Sequence, residues 1–92
     1  MSYNVKKLNE KSVWIGNPNN GYCLHVGGMI RARCGITSWN NEFIHHEIQC
    51  YDIMLYLGYY DCFNTQDLLL LHPKRGLIHL LADENEHSIV VL

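Results

Sequence analysis

The segment that decides the fold is residues 41–57, NEFIHHEIQCYDIMLYL. On a helix of about 3.6 residues per turn, its apolar side chains cover one broad arc and its polar side chains a narrow stripe. Ser38, Asn40 or Asn41 could cap the start of this helix, and Gly58 could end it. We therefore predict one α-helix over residues 41–57, covered by other structure on most of its circumference.

The residues before this helix are typical of strands. Residues 13–15 and 22–26 are rich in β-branched and aromatic side chains, and the loop between them is rich in Gly and Asn, which predicts a β-hairpin. A three-residue loop would then pair residues 22–26 with residues 29–34. In that register Leu24 faces Ile30 and the arginines lie on the opposite face, so polar and apolar side chains separate.

The residues after the helix predict a three-stranded meander over 67–72, 77–82 and 87–92. Pro73 and its neighbouring Gly favour a turn after the first strand, and a run of acidic residues separates the second strand from the third. One alternative stays open, since residues 65–72 could instead form a short helix that Pro73 ends.

These elements together predict an α+β fold in a single compact domain spanning residues 1–92. The expected architecture is an antiparallel β-sheet of two hairpin or meander units, with the one central α-helix packed on one face of the sheet. No internal repeat or linker divides the chain.

The composition indicates which classes of partner and which cellular compartment to expect. Charged residues make up 17% of the chain, against about 25% in an average soluble domain, and the net charge is −2. No basic run exceeds two residues, so we do not expect nucleic acid as a ligand. Residues 1–11 are polar, and no apolar run is long enough to span a membrane, so we expect a cytoplasmic protein with four free cysteines.

One short motif suggests a metal site. His46-Glu47-Ile48-Gln49-Cys50 resembles the zinc-binding order H-E-x-x-H, with cysteine in place of the second histidine. On a helix, His46 and Cys50 would share a face and could both reach one metal ion. Because no third ligand is signalled, this metal site is only an alternative, and we predict no cofactor.

A second alternative is catalytic. Glu47 falls within the apolar arc of the predicted helix, where a carboxylate needs a partner or carries a raised pKa. The groups that could surround it are histidines and arginines. A small hydrolase or nucleotide-binding protein would use His45, His46, Glu47, Arg31 and Arg33.

The interpretation we favour is a non-enzymatic protein that binds another protein. Aromatic side chains in a sparsely charged surface are typical of interaction hot spots, and an acidic turn could meet a basic enzyme surface. The predicted partner-binding residues are Trp39, Tyr56, Tyr59, Tyr60, Asp83, Glu84 and Glu86. We expect Tyr56 and one of Tyr59 or Tyr60 to be exposed. The predicted function is an inhibitor or neutralising factor of the immunity or phage anti-defence type, and we also expect a homo-oligomer.

Overall fold

The computed structural model describes residues 7–39, 45–62 and 64–92, with His46 described by its backbone alone. Strands account for 57% of the described residues. Within the described ranges, the elements in chain order are β1 (Val13–Ile15), β2 (Tyr22–Leu24), β3 (Met29–Ala32), β4 (Ile36–Trp39), β5 (His45–Ile48), β6 (Ile53–Cys62), β7 (Thr65–His72), β8 (Gly76–Leu81), the short helix α1 (Ala82–Asn85) and β9 (Ile89–Val91). No helix in these ranges combines the length and the apolarity needed to cross a membrane.

The strands form two sheets. β1 and β2 make a two-stranded hairpin, and the other strands make one antiparallel sheet in the order β5-β4-β8-β7-β6-β3-β9. This larger sheet is curled, and chain connectivity requires the curl. β6, β7 and β8 separate β3 from β4, which in a flat sheet would place them about 19 Å apart. The direct connection from Ala32 to Ile36 reaches at most about 14 Å.

The hydrophobic core lies on the inner side of this curl. Along β7 and β8, every second side chain points inward, and the β1–β2 hairpin adds its own apolar side chains. The core includes Val13, Ile15, Leu24, Ile30, Ala32, Ile36, Ile48, Met54, Tyr56, Leu68, Leu70, Ile78, Leu80, Ala82 and Ile89. The other side of β3, β6, β7 and β8 faces outward.

The predicted central helix is wrong, and with it the α+β fold. Residues 45–48 form β5 and residues 53–62 form β6, which is paired with β7 along most of its length. The turn between them contains Tyr51, whose φ of 73° is incompatible with a right-handed helix. Residues 40–44, which include the proposed caps Asn40 and Asn41, lie outside the described residues.

The helical pattern in this segment has a physical explanation. On β6, Met54 and Tyr56 point into the core. Ile53 and Leu55 point outward, where Ile53 is exposed and Leu55 is half-buried. A strand that is apolar on both faces presents a continuous apolar run, which periodicity cannot distinguish from a broad helical arc. Strand pairing with the leucine-rich β7 then decides the conformation.

Several local predictions are confirmed. β1 and β2 form the predicted hairpin, with Val13 opposite Leu24. β7 and β8 are paired from Asp67–Leu81 to His72–Gly76, so the turn lies where Pro73 predicted it. The alternative short helix at 65–72 is wrong.

Other pairings differ from the prediction. β3 pairs with β6 and β9 rather than with β2. β9 does form within residues 87–92, but it pairs with β3 instead of β8 because α1 and the residues after it carry the chain away from β8. Gly58 does not end a helix. It lies in a bulge of β6 with φ 147°, and a Cβ at this position would lie 2.6 Å from the backbone oxygen of Asn9.

Candidate functional site

A row of aliphatic side chains crosses the outer side of the large sheet. Met29 pairs with Leu55, Leu55 with Leu71, and Leu71 with Leu77, so the four residues are direct cross-strand neighbours on β3, β6, β7 and β8. Met29 is 50% exposed, Leu71 41% and Leu77 40%, while Leu55 is half-buried. We call these four residues the apolar row. Its three strand spacings give it a length of about 14 Å.

More apolar and aromatic side chains border this row. Ile53, two residues before Leu55, is exposed on the same side and pairs with Arg31. On β4, the exposed Trp39 pairs with His79, which lies two residues beyond Leu77. The Trp39 ring meets the His45 ring edge-on, with their centroids 3.9 Å apart. The apolar surface therefore extends beyond the row in two directions.

An exposed aliphatic row of this kind is unusual. Antiparallel sheets with one solvated face normally alternate apolar and polar side chains, and monomeric proteins rarely expose large contiguous apolar patches. β7 does not alternate, because residues 68–71 are all leucine, of which Leu68, Leu69 and Leu70 are buried. Leu71 is an outward member of this run and projects into solvent. The row is therefore the candidate for a contact with another molecule.

Charges of opposite sign lie at the two ends of the β7–β8 hairpin. Lys74 and Arg75 occupy the turn, beyond Leu71 and Leu77, and both are exposed. Asp67 lies at the open end of the hairpin, where α1 carries the exposed Asp83 and Glu84. The basic turn therefore lies on one side of the apolar row, and the acidic open end lies on the other side.

A buried histidine anchors the basic turn. The backbone N–H groups of Lys74 and Arg75 donate to His72 Nδ1 at 3.0 and 3.1 Å, so this nitrogen carries no proton. Nε2 therefore bears the proton and donates to Asp52 Oδ2 at 2.7 Å. Gln49 N donates to the same carboxylate oxygen at 3.0 Å. The hydrogen bond from His72 is the main reason that the pKa of Asp52 lies below its ordinary value.

The predicted aromatic residues fall into different environments. Tyr60 is partly exposed on the outer side, opposite Asp67, and its ring lies 5.8 Å from that of His79. Tyr59 points to the inner side and packs against the core. Tyr56 was expected to be exposed, and this is wrong. It is fully buried and donates its hydroxyl to the backbone oxygen of Lys11 at 2.9 Å, and burial raises its pKa.

The predicted acidic turn is the helix α1 rather than a hairpin tip. Asp83 and Glu84 are exposed there, and Asp83 N donates to Thr65 Oγ1 at 3.1 Å. Glu86 is partly buried after the helix, and its backbone oxygen accepts a 2.7 Å hydrogen bond from the Tyr22 hydroxyl. Two of the three acidic residues are therefore available to a partner at the open end of the hairpin.

The residues of the catalytic alternative are not joined in the described structure. Glu47 is exposed on β5 and lines an open pocket of about 270 Å³ with Thr37, its cross-strand neighbour, and residues of both strands. Among the described groups, no hydrogen bond or ion pair connects Glu47 with Arg31 or Arg33. The side chain of His46 lies outside the described residues. The hydrolase or nucleotide-binding alternative stays a prediction.

The metal alternative depended on a helical spacing that is not present, because His46 lies on β5 and Cys50 in the turn after it. The exposed Cys50 donates its thiol to the backbone oxygen of Arg33 at 3.1 Å. In the part of the chain that the structure describes, no three His, Cys, Asp or Glu residues are grouped as metal ligands.

The sequence did not indicate the apolar row because its members come from four different strands, whose lateral order the sequence does not show. The signal that could have indicated it was the run of leucines at 68–71, which supplies twice the apolar side chains that one buried face needs. No family model, curated protein or solved structure matches this chain. The apolar row and its charged ends are therefore the basis for a functional proposal.

Proposed function

We propose that this protein acts by binding another protein through the apolar row, as an inhibitor or neutralising factor of the immunity or phage anti-defence type. The observation that carries the proposal is the row itself, four aliphatic side chains that pair across four neighbouring strands on the outer side of the sheet. Three of them are at least 40% exposed.

The energetics of this surface favour a protein partner. Burial of apolar area contributes about 25 cal/mol per Å², and a partner with a matching apolar surface would remove the whole row from water. The row lies on paired strands, so little backbone entropy is lost when it is covered. Trp39, which borders the row, and Tyr60, which lies on the same outer side opposite Asp67, are residue types enriched at the centres of interfaces.

The charged ends of the hairpin define the partner further. The acidic open end, with the exposed Asp83 and Glu84, would face basic groups, and the turn with Lys74 and Arg75 would face acidic groups. A basic enzyme surface with an apolar centre fits the larger part of this pattern. Binding there would inhibit by covering the surface that the enzyme uses.

The test is affinity capture from a lysate of the native host with three immobilised forms of the full chain. These are the wild type, Leu71→Asp in the apolar row, and the control Trp14→Asp, which places the same charge on an exposed residue of the separate β1–β2 hairpin. We expect a protein that is retained by the wild type and by Trp14→Asp and is lost with Leu71→Asp. The purified protein should then bind with a negative heat-capacity change.

If all three forms retain the same proteins, the apolar row is not the binding surface. A circular dichroism melt of each variant is part of the experiment, because it separates lost binding from lost folding. Leu71 is partly exposed, so its variant should remain folded.

A further inference from the structure

The apolar row lies between the two charged ends of the β7–β8 hairpin. Asp67 precedes Leu71 by four residues of extended strand, which correspond to about 13 Å, whereas Lys74 and Arg75 lie in the turn directly beyond the His72–Gly76 pair and are nearer to the row. Opposite charges on the two sides of an apolar centre let a surface complement a second copy of itself.

We infer that a second copy of this chain covers the apolar row, with the strands of the two copies antiparallel and a two-fold axis running along the row. The inference rests on the proposed function, because both treat the apolar row as a protein-binding surface. The second copy occupies this surface when no other protein does.

The two-fold axis along the row makes a definite set of contacts. Rotation about this axis leaves each strand facing its own copy and reverses its direction. The basic turn of one copy, with Lys74 and Arg75, then lies on the same side of the axis as the acidic end of the other, with Asp83 and Glu84. The contact occurs twice, once at each end of the dimer.

The alternative two-fold axis, parallel to the strands, gives the opposite electrostatics. It would place the basic turn of one copy against the basic turn of the other, and α1 against α1. Like charges at an interface are unfavourable and serve to exclude one arrangement in favour of another. The charge pattern therefore selects the antiparallel dimer.

The size of the surface indicates how strong the dimer is. The row is about 14 Å long and the paired part of β7 about 20 Å, and the area of about 280 Å² that they enclose is well below the ~800 Å² per partner of a standard stable interface. We therefore expect an exchangeable dimer. A host protein with a larger matching surface would displace the second copy.

The test is sedimentation velocity of the full chain over a wide concentration series. We expect the mass to rise from the 10.7 kDa of one chain toward twice that value. Leu71→Asp should remain monomeric over the whole series, while the control Trp14→Asp should follow the wild type.

Charge reversal tests the orientation. The double variant Lys74→Glu/Arg75→Glu and the double variant Asp83→Lys/Glu84→Lys should each weaken the dimer by about tenfold, since each places like charges in contact. A chain that carries all four changes should recover wild-type affinity, because opposite charges then meet again. A parallel dimer would show no such recovery.

The outcomes separate the inference from the proposed function. A chain that stays monomeric at every concentration, or a dimer unaffected by Leu71→Asp, overturns the inference, and capture of a host protein through the row would still support the proposed function. A dimer that uses the row, in a protein that captures nothing from the host, supports the inference and contradicts the proposed function.

Discussion

His72 and Asp52 are joined by a 2.7 Å hydrogen bond that connects the turn after β7 to the loop before β6. The histidine donates through Nε2, while its Nδ1 accepts from the two backbone N–H groups of the turn. The pair therefore holds Lys74 and Arg75 in place at the basic end of the apolar row.

This pair predicts a pH dependence of stability. Hydrogen bonding from His72 lowers the pKa of Asp52 below 3.8, so the ionised carboxylate stabilises the folded state fully above pH 3.8. The contribution is lost as the pH falls through the lowered pKa of the folded state. Asp52→Asn should therefore unfold more easily than the wild type at pH 7 in urea, and the difference should shrink below pH 3.8.

The control for that measurement is Asp83→Asn, which removes an exposed carboxylate on α1. Its difference from the wild type should be small at both pH values. If Asp52→Asn behaved like Asp83→Asn, the hydrogen bond to His72 would not stabilise the fold.

Two neighbouring leucines distinguish the inner from the outer side of β7. Leu70 is fully buried, whereas Leu71 is 41% exposed. Leu70→Ala should lower the free energy of unfolding by about 2–5 kcal/mol, since it leaves a cavity in the core. Leu71→Ala should lower it by less than about 1 kcal/mol. Urea titration of the two variants checks this, and equal losses would mean that the two faces are assigned wrongly.

Gly58 provides a test of the bulge in β6. A side chain there would be strained by the φ of 147° and would meet the backbone oxygen of Asn9. We expect Gly58→Ala to cost about 1–3 kcal/mol in a thermal or urea melt. Gly35→Ala is the matched control, because its Cβ would meet only one atom, at 3.8 Å.

The buried hydroxyl of Tyr56 gives a further prediction. Removing it leaves the backbone oxygen of Lys11 without its 2.9 Å donor, so Tyr56→Phe should lower the free energy of unfolding by about 1 kcal/mol. Binding through the apolar row should be unchanged, because Tyr56 is fully buried on the inner side. Reduced binding at unchanged stability would place Tyr56 at the surface after all.

The sequence predicted those parts of the fold that turn residues define locally. Pro73 and Gly76 bracket the β7–β8 turn, and the Gly and Asn residues at 16–21 bracket the β1–β2 turn. In β6, by contrast, outward Ile53 and Leu55 alternate with inward Met54, and neither outward residue is polar. Only pairing with β7 and β3 fixes its conformation, and such pairing is non-local.

The same feature explains why the sequence predicted neither the strand β6 nor the candidate site. Apolar residues on the outer face made β6 resemble a helix, and one of them, Leu55, joins Met29, Leu71 and Leu77 in the apolar row that we propose to bind a partner. The aromatic residues near the predicted helix end were a poorer guide, because β6 directs Tyr56 and Tyr59 inward and only Tyr60 outward.

Photo-crosslinking in the native host tests the central claim most directly. p-Benzoylphenylalanine would replace Leu71 in the apolar row and, in a control, Trp14, which is similarly exposed on the β1–β2 hairpin. We predict an adduct at position 71, to a host protein or to a second copy, and none at position 14. No adduct at position 71, or the same adducts at both positions, would contradict the claim that the apolar row is a protein-binding surface.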